Sequence, residues 1–411
     1  MEVWPMSQRY SSVAVVGGGA SGMIAALTAA EVPGRHVLLL ERQQRIGRKL
    51  LATGNGRCNL TNQDAGPADY FGTDPSFAAY ALTHFRSVDT QRFFAHLGLL
   101  TTTEPDGRIY PLSDSSNSVL DVLRFGLDRA GVELRCSFPV EEIQADRRGY
   151  TLRSGTEQVH AEAVILACGG AAGAKLGGVT DGYRLGKALG HRRSSLYPSL
   201  TRILTDPEYP RSLKGIRVQA ALTLTRHGHV LARSSGEVQF TETGISGPAG
   251  FDLSRAVSFG GEGQMLHLQL LPFDEEAVFR LVQARQKQFP DLETSELFTG
   301  MLHNRLGRVV VKAAGLSAAA PLSSLSETEL RSAAGQCTDF RLPVRGVDGF
   351  EAAQVTAGGL LTEGFDPETM QSKIHPGLFA CGEVLDIDGP CGGYNLQWAW
   401  ASGRLAGRLG A

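Results

Sequence analysis

The chain has 411 residues, too many for one ordinary domain and enough for two or three with a sizeable core. Its 40 basic and 42 acidic side chains leave a net charge of -2, which removes the electrostatic case for nucleic acid or an anionic membrane as the main partner and favours a small-molecule ligand. Residues Met1 to Ser12 are polar and broken by Pro5, and no stretch of about 18 apolar residues follows, so neither a signal peptide nor a membrane span is expected and the protein is read as cytoplasmic.

The first predicted elements are a strand, a tight turn and a helix. Val13 to Val16 form an apolar, β-branched run that stops at Gly17-Gly18-Gly19-Ala20-Ser21-Gly22, and Met23 to Ala30 are rich in helix formers. In this pattern Gly17 permits the turn, Gly19 lets backbone approach a pyrophosphate, and Gly22 lets helix and strand pack closely, while Ala20 and Ser21 stand where free N–H groups and the helix dipole favour anions. His36 to Leu40 read as the next strand. Glu41 follows Gly19 by 22 residues, the place where a carboxylate accepts both ribose hydroxyls and repels a 2′-phosphate, which disfavours NADP at this site.

After Glu41 and Arg42 comes Ile46 to Asn62, which mixes glycine with cations and short amides and suits a long anionic cofactor. Arg48 and Lys49 are candidates to neutralise a diphosphate; Asn55, Arg57 and Asn59 are candidates for ribityl or flavin oxygens, with Gly54, Gly56 and Cys58 between them. Val140 is a further cofactor candidate. Val164 to Ala167 read as a buried strand ending in Cys168-Gly169-Gly170, and Gly377 to Cys381 as another, stopped by Gly382-Glu383. Such strand ends line one edge of a doubly wound sheet, where ligands sit. The closing stretch Gly392-Gly393-Tyr394-Asn395-Leu396 opens a final helix through Ala399, Ser402 and Leu405, whose N-terminal N–H groups suit a flavin pyrimidine. The cofactor expected is FAD.

The 50 glycines, about 12 % against a usual share of about 7 %, cluster at these same places. Six cysteines show no CxxC pair and no Cys/His spacing suited to a metal, so no metal is expected. Cys58 has no second cysteine nearby, which sets dithiol chemistry aside.

These motifs, with "GRKLLATGNGRCNLTN" from Gly47, "GRIYPLSDSSNSVLD" from Gly107, "TDGY" from Thr180, "GEVQFTETGISGPA" from Gly236, "AQVTAGG" from Ala353 and "CGEVLDIDGPCGGYNLQWAWASG" from Cys381, resemble those of the aminoacetone-oxidase-like or bile-acid-dehydro-reductase-like NAD(P)/FAD-dependent oxidoreductases, over nearly the whole chain. The resemblance implies an α/β fold with a discontinuous Rossmann-type FAD-binding domain, interrupted by a β-rich, barrel-like domain and a small helical one, and redox at a C=C or C–H bond of a small organic substrate. Ala171 to Val179 depart from it. They read "AAGAKLGGV" where a Ser-Tyr-Pro element and a Thr-Gly-Ser run are expected near the flavin, so the polar contacts that the family makes from that loop are not carried over, nor is its substrate range.

The domain reading assigns 1–190 and 351–411 to FAD, 191–272 with 336–350 to the β-rich insertion and 273–335 to the helical part. Val218 to Val230 and Gln264 to Leu270 alternate like strands, with a hairpin tip at His227-Gly228-His229; Asp274 to Phe289 and Ser326 to Ala334 have helical periodicity, and Leu253 to Val257 and Trp398 to Trp400 read as core. No second GxGxxG follows a strand between His191 and Asp348, so NADH or NADPH is expected at most as a transient co-substrate. Arg57, Tyr110, Glu242 and Tyr394 are the candidates for charge or a proton near the flavin, each with an equally good structural reading; Arg341 and Arg345 read as a solvated face. Two other functions compete with hydride transfer to a small molecule: a flavin-dependent RNA-modifying enzyme, disfavoured by the charge, and a flavin-binding sensor or assembly protein without turnover.

Overall fold

The structure, a computed structural model, describes residues 10–411; the reading of the extreme N-terminus lies, up to residue 9, outside the described residues. The chain divides into two units, one running to Tyr197 and resuming at Gln354–Ala411, the other Pro198–Ala353.

In the first unit the β-branched run belongs to the strand Tyr10–Val16, which pairs in parallel with Val37–Leu40 on one side and Glu157–Leu166 on the other. Val37–Leu40 is buried at every position, as a strand covered on both faces must be. Glu133–Arg135 extends the sheet beyond it, and Leu378–Ala380 pairs with Val164–Leu166. The strand expected near Val164 is only the end of a ten-residue one. Its first half turns antiparallel onto Gly149–Ser154, which pairs with Glu142–Asp146. That half alternates exposed and buried residues, the sign of a sheet with one wet face.

The opening helix is Ala20–Ala29 and the closing helix Tyr394–Gly407. They meet at backbone distance. A Cβ on Gly403 would lie 2.5 Å from the carbonyl oxygen of Ser21, and one on Gly407 2.5 Å from that of Ala25. Trp398 and Trp400 are buried as expected, their indole N–H groups donating to the carbonyls of Gly382 and Leu60 at 3.2 and 2.8 Å.

The second unit holds a closed barrel of six strands in the order Ile203–Thr205, Gly244–Ser246, His229–Phe240, Arg217–Arg226, Gln264–Gln269, Phe340–Val347. Alternate residues, including Leu222, Leu224, Leu266, Leu268, Phe340 and Leu342, fill its interior. The hairpin tip falls at His227 and Gly228, both with positive φ, but the returning strand runs on to Phe240. A helix, Pro248–Gly260, interrupts the expected β-rich stretch. Ala249, Leu253 and Val257 recur every four residues and are all buried, so the apolar run is one face of a helix. Asp274 caps the helix Glu275–Gln288 by accepting the Ala277 N–H at 2.7 Å, and Ser326 with Glu329 forms a reciprocal cap on Glu327–Thr338, which ends four residues beyond the expected Ala334. Asn304–Ala313, a fourth helix among the described residues of this unit, was not anticipated.

Replacing Gly407 by Val should lower the stability of the first unit by about 1–3 kcal/mol or more, because the new side chain must displace helix backbone. Thermal unfolding measures this, with Gly349→Ala, where a Cβ meets nothing within 4 Å, expected to be near-neutral.

Candidate dinucleotide-binding site

The glycine turn has the close approaches that its sequence demands. Gly17 has φ +115° and would set a Cβ 2.3 Å from the carbonyl oxygen of Ala167, while a Cβ on Gly22 would lie 1.8 Å from that of Gly17. Gly19 differs. A Cβ there would meet nothing within 4 Å, and as the N-cap of the opening helix it brings no side-chain cap, so the first turn presents backbone N–H groups to open space.

Glu41 stands directly beside this turn. Its Oε2 accepts the Gly18 N–H at 2.8 Å and its Oε1 the Gln43 N–H at 2.7 Å. Each oxygen thus holds one backbone donor and keeps lone-pair capacity for another, which matches the two hydroxyls of a ribose. The backbone of Ser137 and Phe138 donates to the carbonyls of Gln43 and Glu41, at 2.8 and 2.9 Å, and so brings the buried Val140 to this edge.

The segment expected as a loop begins with a short helix, Arg48–Ala52, and the cations at and before it are held by protein partners. Arg42 pairs with Asp181 at 3.0 Å; Arg48 donates to Gln43 Oε1 at 2.7 Å and to the Lys175 carbonyl at 3.0 Å. Lys49 Nζ lies 2.7 Å from Glu383 Oε2, which ties the early loop to the C-terminal return. Glu383 Oε1 accepts the Thr356 N–H at 2.8 Å, and Thr356 Oγ1 accepts the Ala172 N–H at 2.9 Å. Gly170 fits only because it lacks a side chain, since a Cβ would lie 2.5 Å from Thr356 Oγ1 and 2.6 Å from Glu383 Oε1. The divergent loop Ala171 to Val179 therefore joins this network through its backbone.

Arg57 makes a different set of contacts from those expected of a flavin ligand. Its guanidinium donates to Asp114 and, at 2.7 Å, to Glu104, and its central carbon lies 3.9 Å from the Tyr110 ring centroid. The bonds to Glu104 and then Asp114 push its pKa further up, and burial raises that of Tyr110, so neither is tuned to exchange a proton. The loop that carries Arg57 is bent into left-handed backbone at Gly54, Asn55, Gly56 and Cys58, the non-glycine pair being strained positions held by the surrounding structure. Cys58 is fully buried and its thiol pushed up to about 12 by that burial, which makes it an inert packed group.

At the C-terminal return, Gly382 has φ +75°, and a Cβ there would lie 2.5 Å from Ser21 Oγ, so the two halves of the cofactor motif touch. Its N–H donates to Ser402 Oγ at 2.9 Å. Gly169, with φ +69°, ends the neighbouring strand. Gly393, with φ +101°, caps the closing helix, and Tyr394 accepts the Tyr70 hydroxyl on its carbonyl at 2.8 Å. Asn395 clasps the preceding turn, accepting from Gly389 N–H and donating to the Gly389 and Pro390 carbonyls; Leu396 packs against the core. Asn59 Oδ1 is buried and has no hydrogen-bond partner among the described residues, and a Cβ on Gly393 would come within 2.9 Å of it. An acceptor left without a donor beside a glycine suits a ligand N–H, such as that of a flavin pyrimidine. Glu242 lies in the other unit, paired with Lys214 at 3.1 Å, which holds its carboxyl below the usual range.

Several residues that organise this site were not singled out from sequence. Gln397 is fully buried in the closing helix, accepting from Thr61 and Thr90 hydroxyls at 2.6 and 2.8 Å and donating to the Phe85 carbonyl at 2.7 Å. An amide between the apolar Leu396 and Trp398 is the one local signal it leaves. Thr356, Glu104 and Asp114 leave none.

The chain resembles known proteins along its length. The profile of the HI0933-like protein Rossmann domain matches residues 11–409. A 3-dehydro-bile acid delta(4,6)-reductase of Clostridium scindens is 37% identical over 97% of this chain and 98% of its own length, and a ribosomal RNA dihydrouridine synthase of Escherichia coli is 29% identical over 96% of each. Among solved structures, a 3-ketosteroid-delta4-(5alpha)-dehydrogenase from Rhodococcus jostii superposes with a TM-score of 0.51 at 17% identity, covering 98% of this chain and 96% of that one, a likeness of fold. The profile match and the bile-acid reductase together show that the chain belongs to the HI0933-like family of FAD/NAD(P)-binding Rossmann proteins and is a flavin oxidoreductase.

Proposed function

We propose that this protein binds FAD along the Gly17–Gly22 turn and reduces a carbon–carbon double bond conjugated to a carbonyl in a small organic substrate, with NADH or NADPH as transient electron donor. The observation that carries the cofactor assignment is the Glu41 carboxylate, pinned by one backbone N–H on each oxygen beside a glycine turn whose Gly19 faces open space.

In this reading Glu41 holds the adenosine ribose and the opening helix N-terminus, from Gly19 through Ala20 and Ser21 to Gly22, holds the diphosphate. Lys49 serves the diphosphate by trading part of its bond to Glu383, and the freed Glu383 oxygen accepts a ribityl hydroxyl. Asn59 and the N–H groups after Gly393 face the flavin ring, with Gly169, Gly170 and Gly382 leaving room for it. Arg42, Arg48, Asn55, Arg57 and Asn395 support the loops that carry these contacts. When bound, FAD supplies the hydride chemistry. The substrate class rests on the bile-acid relative, whose name specifies reduction of delta(4,6) unsaturation in a 3-dehydro compound.

A second reading is favoured by one specific finding: ribosomal RNA dihydrouridine synthases of Escherichia coli and Haemophilus influenzae are each 29% identical across at least 96% of both chains. Dihydrouridine is uridine with a carbonyl-conjugated ring double bond saturated, so the two substrates pose the same chemical problem. Purified protein given NADPH and either a 3-oxo-4,6-diene steroid acid or unmodified ribosomal RNA separates them; turnover of the steroid acid alone supports the first reading, and dihydrouridine formation in RNA replaces it with the second.

Two outcomes test the cofactor assignment. The purified protein should release FAD in near-stoichiometric amount on denaturation, and a colourless protein that fails to take up added FAD would sink the assignment. Glu41→Ala removes the two charged hydrogen bonds to the ribose, each worth about 1.5–3 kcal/mol, and should weaken FAD binding about 100-fold or more; Cys58→Ser should retain both flavin and turnover.

A further inference from the structure

The strand Leu378–Ala380 has the glycine-lined Gly382–Glu383 at its C-terminal end. At its opposite end the chain makes a second cluster, where Ser372 N–H donates to the Leu378 carbonyl at 2.7 Å and Leu378 N–H to that of His375 at 3.2 Å. A cavity of about 300 Å³ opens there, its lining including His191, Arg192, Glu363, Gly364, Lys373 and Ile374.

His191 is buried, and its ring lies flat on that of Phe365, with centroids 4.3 Å apart and planes 8° from parallel. Its Nε2 is 3.0 Å from Ser372 Oγ. That hydroxyl already accepts the N–H groups of Ile374 and His375, at 3.2 and 3.0 Å. A hydroxyl has two lone pairs and one proton, so with both lone pairs engaged the Ser372 proton goes to His191. Nε2 is then the acceptor, and the neutral ring carries its own proton on Nδ1. Burial, with the nearby His375, holds His191 down at about 4, in keeping with a neutral ring at pH 7.

That Nδ1–H meets no acceptor among the described residues. It faces Gly364, where a Cβ would come within 2.8 Å of it, so glycine keeps open the space between this donor and the cavity. The surrounding charges are unequal. Glu363 is paired with Arg192, whereas Lys373 donates only to the Glu363 backbone carbonyl, at 3.1 Å, and has no carboxylate partner.

We propose that this cavity is a second binding site, for the oxyanion of a small metabolite, a carboxylate or phosphate group, with His191 Nδ1–H donating to it and Lys373 supplying the counter-charge. Its volume is at the small end of ligand pockets, which run from about 300 to 1,000 Å³, and suits a metabolite rather than a dinucleotide. Neither His191 nor Gly364 belongs to the FAD contacts assigned above, and the proposal stands independently of them.

The test is NMR of protein labelled with ¹⁵N-histidine, titrated with inorganic phosphate and separately with acetate at constant ionic strength. His191 should report the Nδ1–H tautomer, and one of the two anions should shift its signals saturably. Gly364→Ala, which fills the space before Nδ1, and Lys373→Met should each weaken that anion about tenfold or more, with unchanged thermal unfolding confirming intact folds. An Nε2–H tautomer, the lack of a saturable shift with either anion, or an equal response in both variants would overturn the site.

Discussion

The backbone contact between the two ends of the chain is the constraint on which the rest of the first unit depends. Gly403 and Gly407 let the closing helix lie against the carbonyls of Ser21 and Ala25, nearer than any side chain would permit. From that contact the closing helix positions Gly382 through Ser402 and Trp398, and Gly382 in turn touches Ser21 at the head of the opening helix. Two glycine-lined segments, more than 350 residues apart in sequence, are joined by the absence of four side chains, at Gly22, Gly382, Gly403 and Gly407.

A second theme is that the site's charges are already paired. Glu41 is held by two N–H groups, Lys49 by Glu383, Arg48 by Gln43 and a carbonyl, and Arg57 by two carboxylates. Pairing of this kind keeps long side chains in one rotamer, so that a ligand finds donors and acceptors in place instead of ordering them itself. It also separates roles that residue type alone leaves merged. Arg57 and Lys49 are both cations of one short segment, yet one locks a strained turn to Glu104 and Asp114 while the other spans from the helix Arg48–Ala52 to the C-terminal return.

The fold class was legible because its signals are local. A β-branched run ending in glycine, an acid 22 residues on, and alternation over Val218 to Val230 each bias the backbone within one window. The antiparallel strands Glu142–Asp146 and Gly149–Ser154, the helix Pro248–Gly260 and the length of the returning barrel strand escaped this reading, because each is defined by what it packs against. Leu253 and Val257 could be recognised as core, but whether that core face lay on a helix depended on Ala249, one turn earlier.

By itself the sequence determined where backbone must bend or come close, at Gly17, Gly22 and Gly382, and that an acid, Glu41, ends the next strand beside that turn. Those choices are set by the sterics of a missing Cβ and by spacing along one βα unit. Tertiary structure alone decided which polar groups meet. Lys49 with Glu383, Gln397 with Thr61 and Thr90, Arg57 with Glu104 and Asp114, and the tautomer of His191 through Ser372 all rest on pairings 47 to 336 residues apart. Hydrogen bonds act over about 3 Å of space with no regard to chain distance, so no local pattern announces them.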